Sequence, residues 1–334
     1  HSFSGLVPPG HTLLSLGRLR GVENADQKAL EADVWAGTRL SMLGRELWKS
    51  DGTTAGTTLV RDIRPGALGS SVLPAKSAAL GQFLYFAAND GQHGFELWRT
   101  DGTAAGTTLV TDIATGSGGS FPDHFFRLGN GLIFRAASIG SGSELWFSDG
   151  TAAGTKQLVE INGGTGSSSP GPFLELRPGV IVFAATEASV GRELFVTNGT
   201  AAGTKRIADL ATGSESSAPG ELVRLANGSA VFAAASGPTG RELFRTDGTS
   251  AGTRLVQDLD PFASTRSASP QNPAGTENDV YVGATDSISG WEPWRVGPGG
   301  AQRLADIAPG PASSRPAGFT GFFDGQKTQV LFSA

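Results

Sequence analysis

The sequence predicts an all-β protein built from one repeated unit, and three observations support this prediction. The first is a tripeptide of glutamate, leucine or proline, and an aromatic residue, which recurs six times at spacings of 48 to 50 residues. The second is that each unit carries short apolar runs rich in β-branched and aromatic residues, which are typical of strands. The third is that Gly, Pro, Asp and Ser separate these runs, as they do in tight turns. The tripeptides begin at Glu46, Glu96, Glu144, Glu193, Glu242 and Glu292.

Each unit reads as four short strands, here called a to d in chain order. In the second unit these are a weak strand at 77–80, an apolar run at 83–88, the strand that begins with the tripeptide at 96, and a run at 109–113. A period near 49 residues with four strands is typical of β-propeller blades and not of helical solenoids. The sequence therefore predicts one β-propeller domain over residues 1–334.

The expected number of blades follows from the two ends of the sequence. Residues 317–334 supply a strand a and a strand b, and aligning Gly10 with Gly56 places a strand c at 2–5 and a strand d at 12–16. We expect residues 1–16 and 317–334 to form one shared blade, and residues 27–31 and 33–38 to be strands a and b of the next. The result is a seven-bladed propeller of four-stranded antiparallel blades, closed so that no sheet edge is left free.

Composition and charge exclude several classes of partner. The chain has 26 basic and 31 acidic residues and a net charge of −5, whereas nucleic acids and anionic membranes attract a basic surface. No stretch approaches the roughly 20 apolar residues of a membrane span. Cysteine is absent, which removes thiol catalysis, disulfides and thiolate zinc sites. We expect no nucleic-acid partner, no membrane span, no metal and no cofactor.

Five units carry a turn with the pattern Asp-Gly-Thr-x-Ala-Gly-Thr between strands c and d. An Asp or Asn at its start can accept hydrogen bonds from backbone amides two residues on, and Gly52 and Gly56 are predicted to adopt positive φ. A calcium loop is the alternative, but it would need more oxygen ligands at one site. Asn198 replaces the aspartate in one unit, which favours a structural hairpin.

The repeated tripeptide itself has two interpretations. One aromatic residue per blade, such as Trp98, is most simply packed between neighbouring sheets, although a ring of sugar-stacking platforms is the functional alternative. The glutamate shares the strand face of the aromatic residue, so a buried glutamate would need backbone amides or arginines such as Arg192 as partners. In the sixth unit Pro293 removes a ladder donor, and we expect a bulge or a distorted blade there.

Residues that break the repeat in the d-to-a and b-to-c loops are the candidate ligand-binding residues, because these loops share one face of a propeller. A histidine and an aspartate on that face could act as a base and its orienter, or as two metal ligands. The surrounding loops are rich in Ser and Gly, which suit binding by adaptable hydrogen bonds better than acid–base chemistry. No residue is assigned as catalytic or metal-binding. The candidates are His93, Asp123, His124, Glu187, Arg266 and Arg315, with Glu215 and Asn272 in comparable loops.

The block Glu-Leu-Trp-x-x-Asp-Gly-Thr at residues 46–53, 96–103 and 144–151 resembles the bacterial ELWxxDGT repeat family over essentially the whole chain. The resemblance implies a repeat architecture and export, so we expect the protein to be secreted or on the cell surface. It implies no substrate and no catalytic residues, since the activity of that family is unassigned. Phe195, Phe244 and the degenerate first and sixth units depart from the pattern.

Two classes of function remain open, with a third behind them. The first is a non-enzymatic binding module, a lectin-like or adhesive protein whose partner is a glycan or cell-surface polysaccharide. It is favoured because the repeated residues read as architectural and known catalytic motifs are absent from the sequence. The second is an enzyme, a hydrolase or lyase, with one site in the central funnel. The third is a protein-interaction scaffold, since propellers host all three.

Overall fold

The computed structural model describes residues 11–14, 34–39, 44–72, 76–237, 239–259, 268–275, 279–286, 288–297, 299–323 and 328–334. These residues form strands and loops without an α-helix, so the predicted all-β class is confirmed for them. Accordingly, no helix in these ranges has the length and hydrophobicity needed to cross a bilayer. The chain divides into two compact units, residues 1–169 and 170–334.

The first unit contains three four-stranded sheets, and within each sheet the strands pair with their neighbours in chain order. All pairs are antiparallel, as predicted for a blade. Sheet 1 consists of β1 (His11–Leu14), β2 (Val34–Arg39), β3 (Gly44–Lys49) and β4 (Thr58–Arg61); sheet 2 of β5 (Ala78–Leu80), β6 (Phe83–Asn89), β7 (Phe95–Thr100) and β8 (Thr108–Thr111); sheet 3 of β9 (Asp123–Leu128), β10 (Gly131–Ser138), β11 (Ser141–Ser148) and β12 (Lys156–Val159).

The second unit contains three further four-stranded sheets of the same order and one two-stranded sheet. Sheet 4 consists of β13 (Leu174–Arg177), β14 (Val180–Glu187), β15 (Gly191–Thr197) and β16 (Lys205–Ala208); sheet 5 of β17 (Val223–Arg224), β18 (Ala230–Ser236), β19 (Gly240–Thr246) and β20 (Arg254–Gln257); sheet 6 of β21 (Gln271–Gly275), β22 (Val280–Thr285), β23 (Trp291–Gly297) and β24 (Gly300–Arg303); sheet 7 of β25 (Ala317–Phe323) and β26 (Thr328–Ser333).

The core of each unit lies between consecutive sheets, because alternate residues of a strand face opposite sides. In the first unit Leu47 of sheet 1 packs with Phe86 and Trp98 of sheet 2, while Leu97 packs with Phe134 of sheet 3. Clusters of the same kind join sheets 4 and 5, and sheets 5 and 6, in the second unit. Within the two units, the tripeptide leucine therefore faces the following sheet and the aromatic residue faces the preceding one. This holds for Leu47, Leu97, Leu194 and Leu243, and for Trp98, Trp146, Phe244 and Trp294.

The predicted closure of the propeller needs one correction. Residues 11–14 pair with β2 and occupy position a of sheet 1, so the prediction of a strand d of a shared blade at 12–16 is wrong for them. A register drawn from one aligned glycine cannot distinguish these positions, since Thr12–Leu14 suits either strand equally well. The predicted strand b at 33–38 is confirmed within one residue, whereas residues 1–10, 15–16 and 27–31 lie outside the described ranges.

The expected bulge at Pro293 is also wrong. Pro293 pairs in register with Gly283, and the pairing of β23 with β24 is regular. In the first five repeats the pairing of strands c and d instead shifts register within the tripeptide, between its second and third residues, as at Leu97 and Trp98. The sixth repeat lacks the Asp-Gly-Thr hairpin, and Gly297 pairs directly with Gly300, so strands c and d pair regularly.

Candidate functional site

One end of each of sheets 1 to 6 is organised by the buried glutamate of the tripeptide. The carboxylate of Glu96 is fully buried and accepts hydrogen bonds from the backbone N–H groups of Ile113 (3.0 Å) and Ala114 (3.0 Å). It also accepts one bond from the N–H of Ser120 (2.9 Å) and one from its Oγ (2.6 Å). Burial raises the pKa of Glu96, and these hydrogen bonds oppose that rise. The same role falls to Glu46, Glu144, Glu193, Glu242 and Glu292.

This network confirms the predicted structural role of the glutamates and identifies their partners as backbone amides and serines. Each carboxylate fastens the d-to-a loop to strand c, so the loop path does not depend on the side chains at its surface. Arginine is not the partner: Arg192 donates to the carbonyl of Gly171, and Arg241 donates to the carbonyls of Ala218 and Ala233.

The turn between strands c and d is held by its own side chains. In the second repeat Oδ1 of Asp101 accepts hydrogen bonds from the N–H (2.9 Å) and Oγ1 (2.7 Å) of Thr103, whose Oγ1 accepts one from the N–H of Gly106. Gly102 adopts φ +85, as expected, but Gly106 is needed for a different reason: a Cβ there would lie 2.0 Å from Asp101 Oδ1. Asn198 makes the same bonds to Thr200, which supports a structural hairpin.

The aromatic residues of the tripeptide are core residues in five of the six repeats. Their exposed fractions lie between 4% and 8%, so they are not open to a ligand. The prediction of packing between sheets is confirmed for four of them, and Phe195 is buried against Phe183 of its own sheet. The idea of a ring of sugar platforms at this position is wrong for all five. They are Trp98, Trp146, Phe195, Phe244 and Trp294.

A repeated corner lies on the surface above each glutamate. One residue in each d-to-a loop, here called the corner residue, adopts φ between +43 and +54 although it is not glycine, a conformation that costs of order 1–3 kcal/mol. Its N–H donates to the carbonyl of the residue before the glutamate, here called the pre-Glu residue, at 3.0–3.2 Å. The corner and pre-Glu pairs are Ser71 with Arg45, Phe121 with Phe95, Ser169 with Ser143, Ala218 with Arg192, Ser269 with Arg241, and Arg315 with Trp291.

In the first unit one corner lines a pocket of about 190 Å³, here called the Phe121 pocket. The rings of Phe95 and Phe121 lie 5.5 Å apart between centroids, and Phe121 is 60% exposed. Lys76, which is exposed, and Asp123 contribute the polar groups of the wall. The pocket thus combines an accessible aromatic pair with one ammonium group and one carboxylate, which can both form hydrogen bonds. Ala87 and Pro122 complete its lining.

In the second unit the equivalent corner lines a pocket of about 370 Å³, here called the Arg315 pocket. Its pre-Glu residue is Trp291, which is half-buried, and its corner residue Arg315 is exposed. Ser313 accepts a hydrogen bond from the N–H of Trp291 (2.9 Å) and fixes that part of the strand. Gln271 and Pro316 complete the lining. The two pockets therefore share the corner position, the pre-Glu position and the proline that follows the corner, and their side chains differ at the first two.

The sequence-predicted residues divide between these pockets and their surroundings. Asp123 lines the Phe121 pocket and is paired with Arg135, whose Nε lies 2.6 Å from Oδ1; neighbouring His124 places Nδ1 3.1 Å from the same oxygen. Burial alone would raise the pKa of Asp123, but the neighbouring His124 and the hydrogen bonds from Arg135 hold it below its usual range. Arg315 lines the second pocket.

Of the remaining candidates, Glu187 and Glu215 line neither pocket. Glu187 lies at the b-to-c hairpin of sheet 4 with Oε2 3.8 Å from Arg206, and Glu215 is exposed in a d-to-a loop. Asn272 falls within β21, and Arg266 lies outside the described ranges. Sequence reasoning missed Phe95, Phe121 and Trp291. Their signal was present: they are aromatic at repeat positions where the other units carry Arg, Ser or Ala.

His93 forms a local pair with Asp90 in the b-to-c turn of sheet 2. Its Nδ1 lies 2.7 Å from Asp90 Oδ2, while Oδ1 of Asp90 accepts the N–H groups of Gln92 and His93. The hydrogen bond to Asp90 raises the pKa of His93. Burial alone would raise the pKa of Asp90, but its bonds to His93 and Gln92 lower it. In the part of the chain that the structure describes, no three His, Asp or Glu side chains cluster as metal ligands.

These shifts give a pH dependence of stability. The stabilisation from a raised histidine pKa is present below its ordinary value of 6.5 and is lost as pH rises through the folded value. The stabilisation from a lowered aspartate pKa is present above 3.8 and is lost as pH falls through the folded value. We expect Asp90→Asn, which keeps the amide-accepting oxygen, to lower the melting temperature most between about pH 4 and 6.5. Melting curves of both proteins from pH 3 to 9 test this, and a difference that grows above pH 8 contradicts it.

Comparisons with known proteins add little to this geometry. No family model matches the sequence, and no curated protein matches it significantly. Among solved structures, a puromycin hydrolase S511A mutant complexed with PGG is 14% identical, with a TM-score of 0.42 over 90% of this chain and 48% of that chain. TolB from Acinetobacter baumannii is 10% identical, with a TM-score of 0.37 over 77% and 58%.

A puromycin-hydrolyzing peptidase from Mycobacterium tuberculosis is 12% identical, with a TM-score of 0.44 over 79% of this chain and 44% of that chain. The chain spans about half the length of these structures. At such identities and TM-scores the likeness carries no argument about what this chain binds or does.

Proposed function

We propose that this chain is a non-enzymatic, carbohydrate-binding module that takes saccharide units at the Phe121 and Arg315 pockets. The observation that carries the proposal is the exposed aromatic pair of Phe95 and Phe121 beside Lys76 and Asp123. Both pockets include the corner and pre-Glu positions of a repeat, and each could take one saccharide unit.

The chemistry of the Phe121 pocket supports a sugar more than a purely apolar ligand. An aromatic face gives apolar contact to the C–H side of a pyranose, while ammonium and carboxylate groups bond to its hydroxyls. The backbone of Phe121 is held at positive φ by its bond to the carbonyl of Phe95, and its ring lies against the ring of Phe95, which reduces the ordering needed when a ligand binds. An aromatic ring that is 60% exposed in such a position contributes little to folding, which favours a role in binding.

Architecture and location remain part of the proposal. The repeated four-stranded sheets, packed in chain order within each unit, are consistent with blades of a closed propeller, and we propose seven of them. The resemblance to ELWxxDGT repeat proteins supports a place outside the cell or on its surface, where a polysaccharide would be the natural partner.

We expect Phe121→Ala to weaken binding of a neutral oligosaccharide about tenfold, because the stacking surface is lost while the polar groups remain. Ile139→Ala is the matched control, since Ile139 is an equally exposed apolar residue of the same unit, 71% accessible, that lies outside the pocket. A glycan array selects the probe, and calorimetry compares the three proteins. Equal affinities for all three proteins, or no glycan bound by any, contradict the proposal.

An enzyme is the second candidate, and the pair of His93 and Asp90 favours it. A histidine whose Nδ1 bonds to a carboxylate leaves Nε2 as a base, and such pairs orient catalytic histidines. If the chain is a hydrolase, products will accumulate from a bound oligosaccharide and His93→Ala will abolish them while binding persists. Stable complexes without turnover support the non-enzymatic function.

A further inference from the structure

We infer that the Arg315 pocket binds a saccharide unit that carries a carboxylate, and that the corner residue Arg315 gives the pocket this preference. The inference rests on the proposed function and deepens it, because it separates two pockets that the repeat makes equivalent. Its basis is the side chains that replace one another at the corner and pre-Glu positions.

The corner position changes its side chain without changing its backbone. All six corner residues share positive φ and the same hydrogen bond to the pre-Glu carbonyl. The buried glutamate beneath holds the loop independently of the corner side chain, for example through Ser314 under Arg315. The corner side chain can therefore differ between repeats, and with it the ligand that is bound, without a change in the loop backbone.

The positive charge of Arg315 has no acidic residue opposite it among the residues that line the pocket. The other lining residues, Gln271, Trp291, Ser313 and Pro316, are uncharged. Within the described ranges no carboxylate pairs with Arg315, whereas in the Phe121 pocket Asp123 is already paired with Arg135. A guanidinium prefers a carboxylate, which it can grip with two parallel hydrogen bonds.

Arginine elsewhere in the repeat does something different. At the pre-Glu position of sheets 4 and 5, Arg192 and Arg241 donate to backbone carbonyls of the same unit, so their side chains lie across the surface that the pockets occupy elsewhere. Trp291 at that position leaves the surface open and supplies an aromatic wall beside Arg315. An aromatic wall and a neighbouring guanidinium together suit a uronic acid, whose ring has an apolar face and a carboxylate on C6.

The test compares methyl β-D-glucuronide with methyl β-D-glucoside, which differ only in the carboxylate. The NMR indole signal of Trp291, assigned through Trp291→Phe, reports binding at this pocket, and the backbone amide of Phe121 reports the other. We expect the glucuronide to bind at Trp291 at least about tenfold more tightly than the glucoside. Arg315→Gln should remove this preference and leave the glucoside affinity within twofold, and Arg315→Lys should restore part of it.

Three results would overturn the inference. They are equal affinities of the two glycosides at Trp291, an unchanged preference in Arg315→Gln, and a response of Trp291 to sodium acetate as strong as that to the glucuronide, which would indicate a simple anion site. A silent Trp291 with a responsive Phe121 is a fourth such result, and it rejects this inference while leaving the proposed function standing. A glucuronide response at Trp291 with no sugar response at Phe121 rejects the neutral-sugar role of the first pocket and keeps the inference. Thermal melting of each variant guards against loss of fold.

Discussion

Glu96→Ala is expected to lower the free energy of unfolding by about 3–5 kcal/mol, the largest effect of any single substitution discussed here. The carboxylate accepts hydrogen bonds from three backbone N–H groups and one hydroxyl, and all of them lie where Glu96 is fully buried. Removing the acceptor leaves these donors without partners, at about 1–3 kcal/mol for each group that water cannot reach. Chemical denaturation at pH 7 measures the change.

Two controls make the result specific. Glu160→Ala removes an exposed glutamate of the same unit that accepts a single bond from Gly164, and we expect a loss below about 1 kcal/mol. Ser120→Ala removes only the hydroxyl partner of Glu96 and should fall between the two. If Glu96→Ala is no more harmful than Glu160→Ala, the loop is held by something other than the carboxylate.

Gly106→Ala is expected to destabilise the protein by about 2–3 kcal/mol, and Gly102→Ala by about 1–2 kcal/mol. Both glycines belong to one turn, but for different reasons. A methyl group at Gly106 would lie 2.0 Å from Asp101 Oδ1, whereas Gly102 has φ +85 with open space around its Cα. The first substitution displaces the carboxylate that holds the turn, and the second only forces alanine into a left-handed conformation.

A double-mutant cycle separates these two causes. In Asp101→Ala/Gly106→Ala the carboxylate is gone, so the added methyl group has room and the double variant should be about as stable as Asp101→Ala alone. Asp101→Ala with Gly102→Ala should be additive, because the strain at Gly102 does not involve the carboxylate. Additivity in the first pair would show that Gly106 is required for another reason.

The sequence allowed the sheets to be predicted because the repeat aligns each unit with five others. The tripeptide fixed strand c, and the turn after it fixed strand d, so the antiparallel order in each unit agrees with expectation. The position of residues 11–14 could not be predicted, since a strand is assigned by its partner, and a single aligned glycine does not identify β2 as that partner. The prediction of a bulge at Pro293 was wrong for a related reason, because the regular pairing of its strand depends on the short turn that follows it.

The candidate site was only partly predictable. Asp123 and Arg315 were found because they break the repeat with charge, and both line a pocket. Phe121 and Trp291 were not, because an aromatic residue in a repeat reads as core until its exposure is known. The left-handed backbone of the corner residues leaves no mark in composition, since Ser, Phe, Ala and Arg all occupy it.

The buried glutamate fixes the path of each d-to-a loop, so the backbone shape of the loop and its binding specificity depend on different residues. Duplication of a repeat copies the glutamate and the backbone bend together, and later mutation of one outward-facing residue gives that copy a new chemical preference. An engineer could use the same division of labour: randomising the six corner residues and the six pre-Glu residues would yield a library of varied surfaces on one unchanged frame.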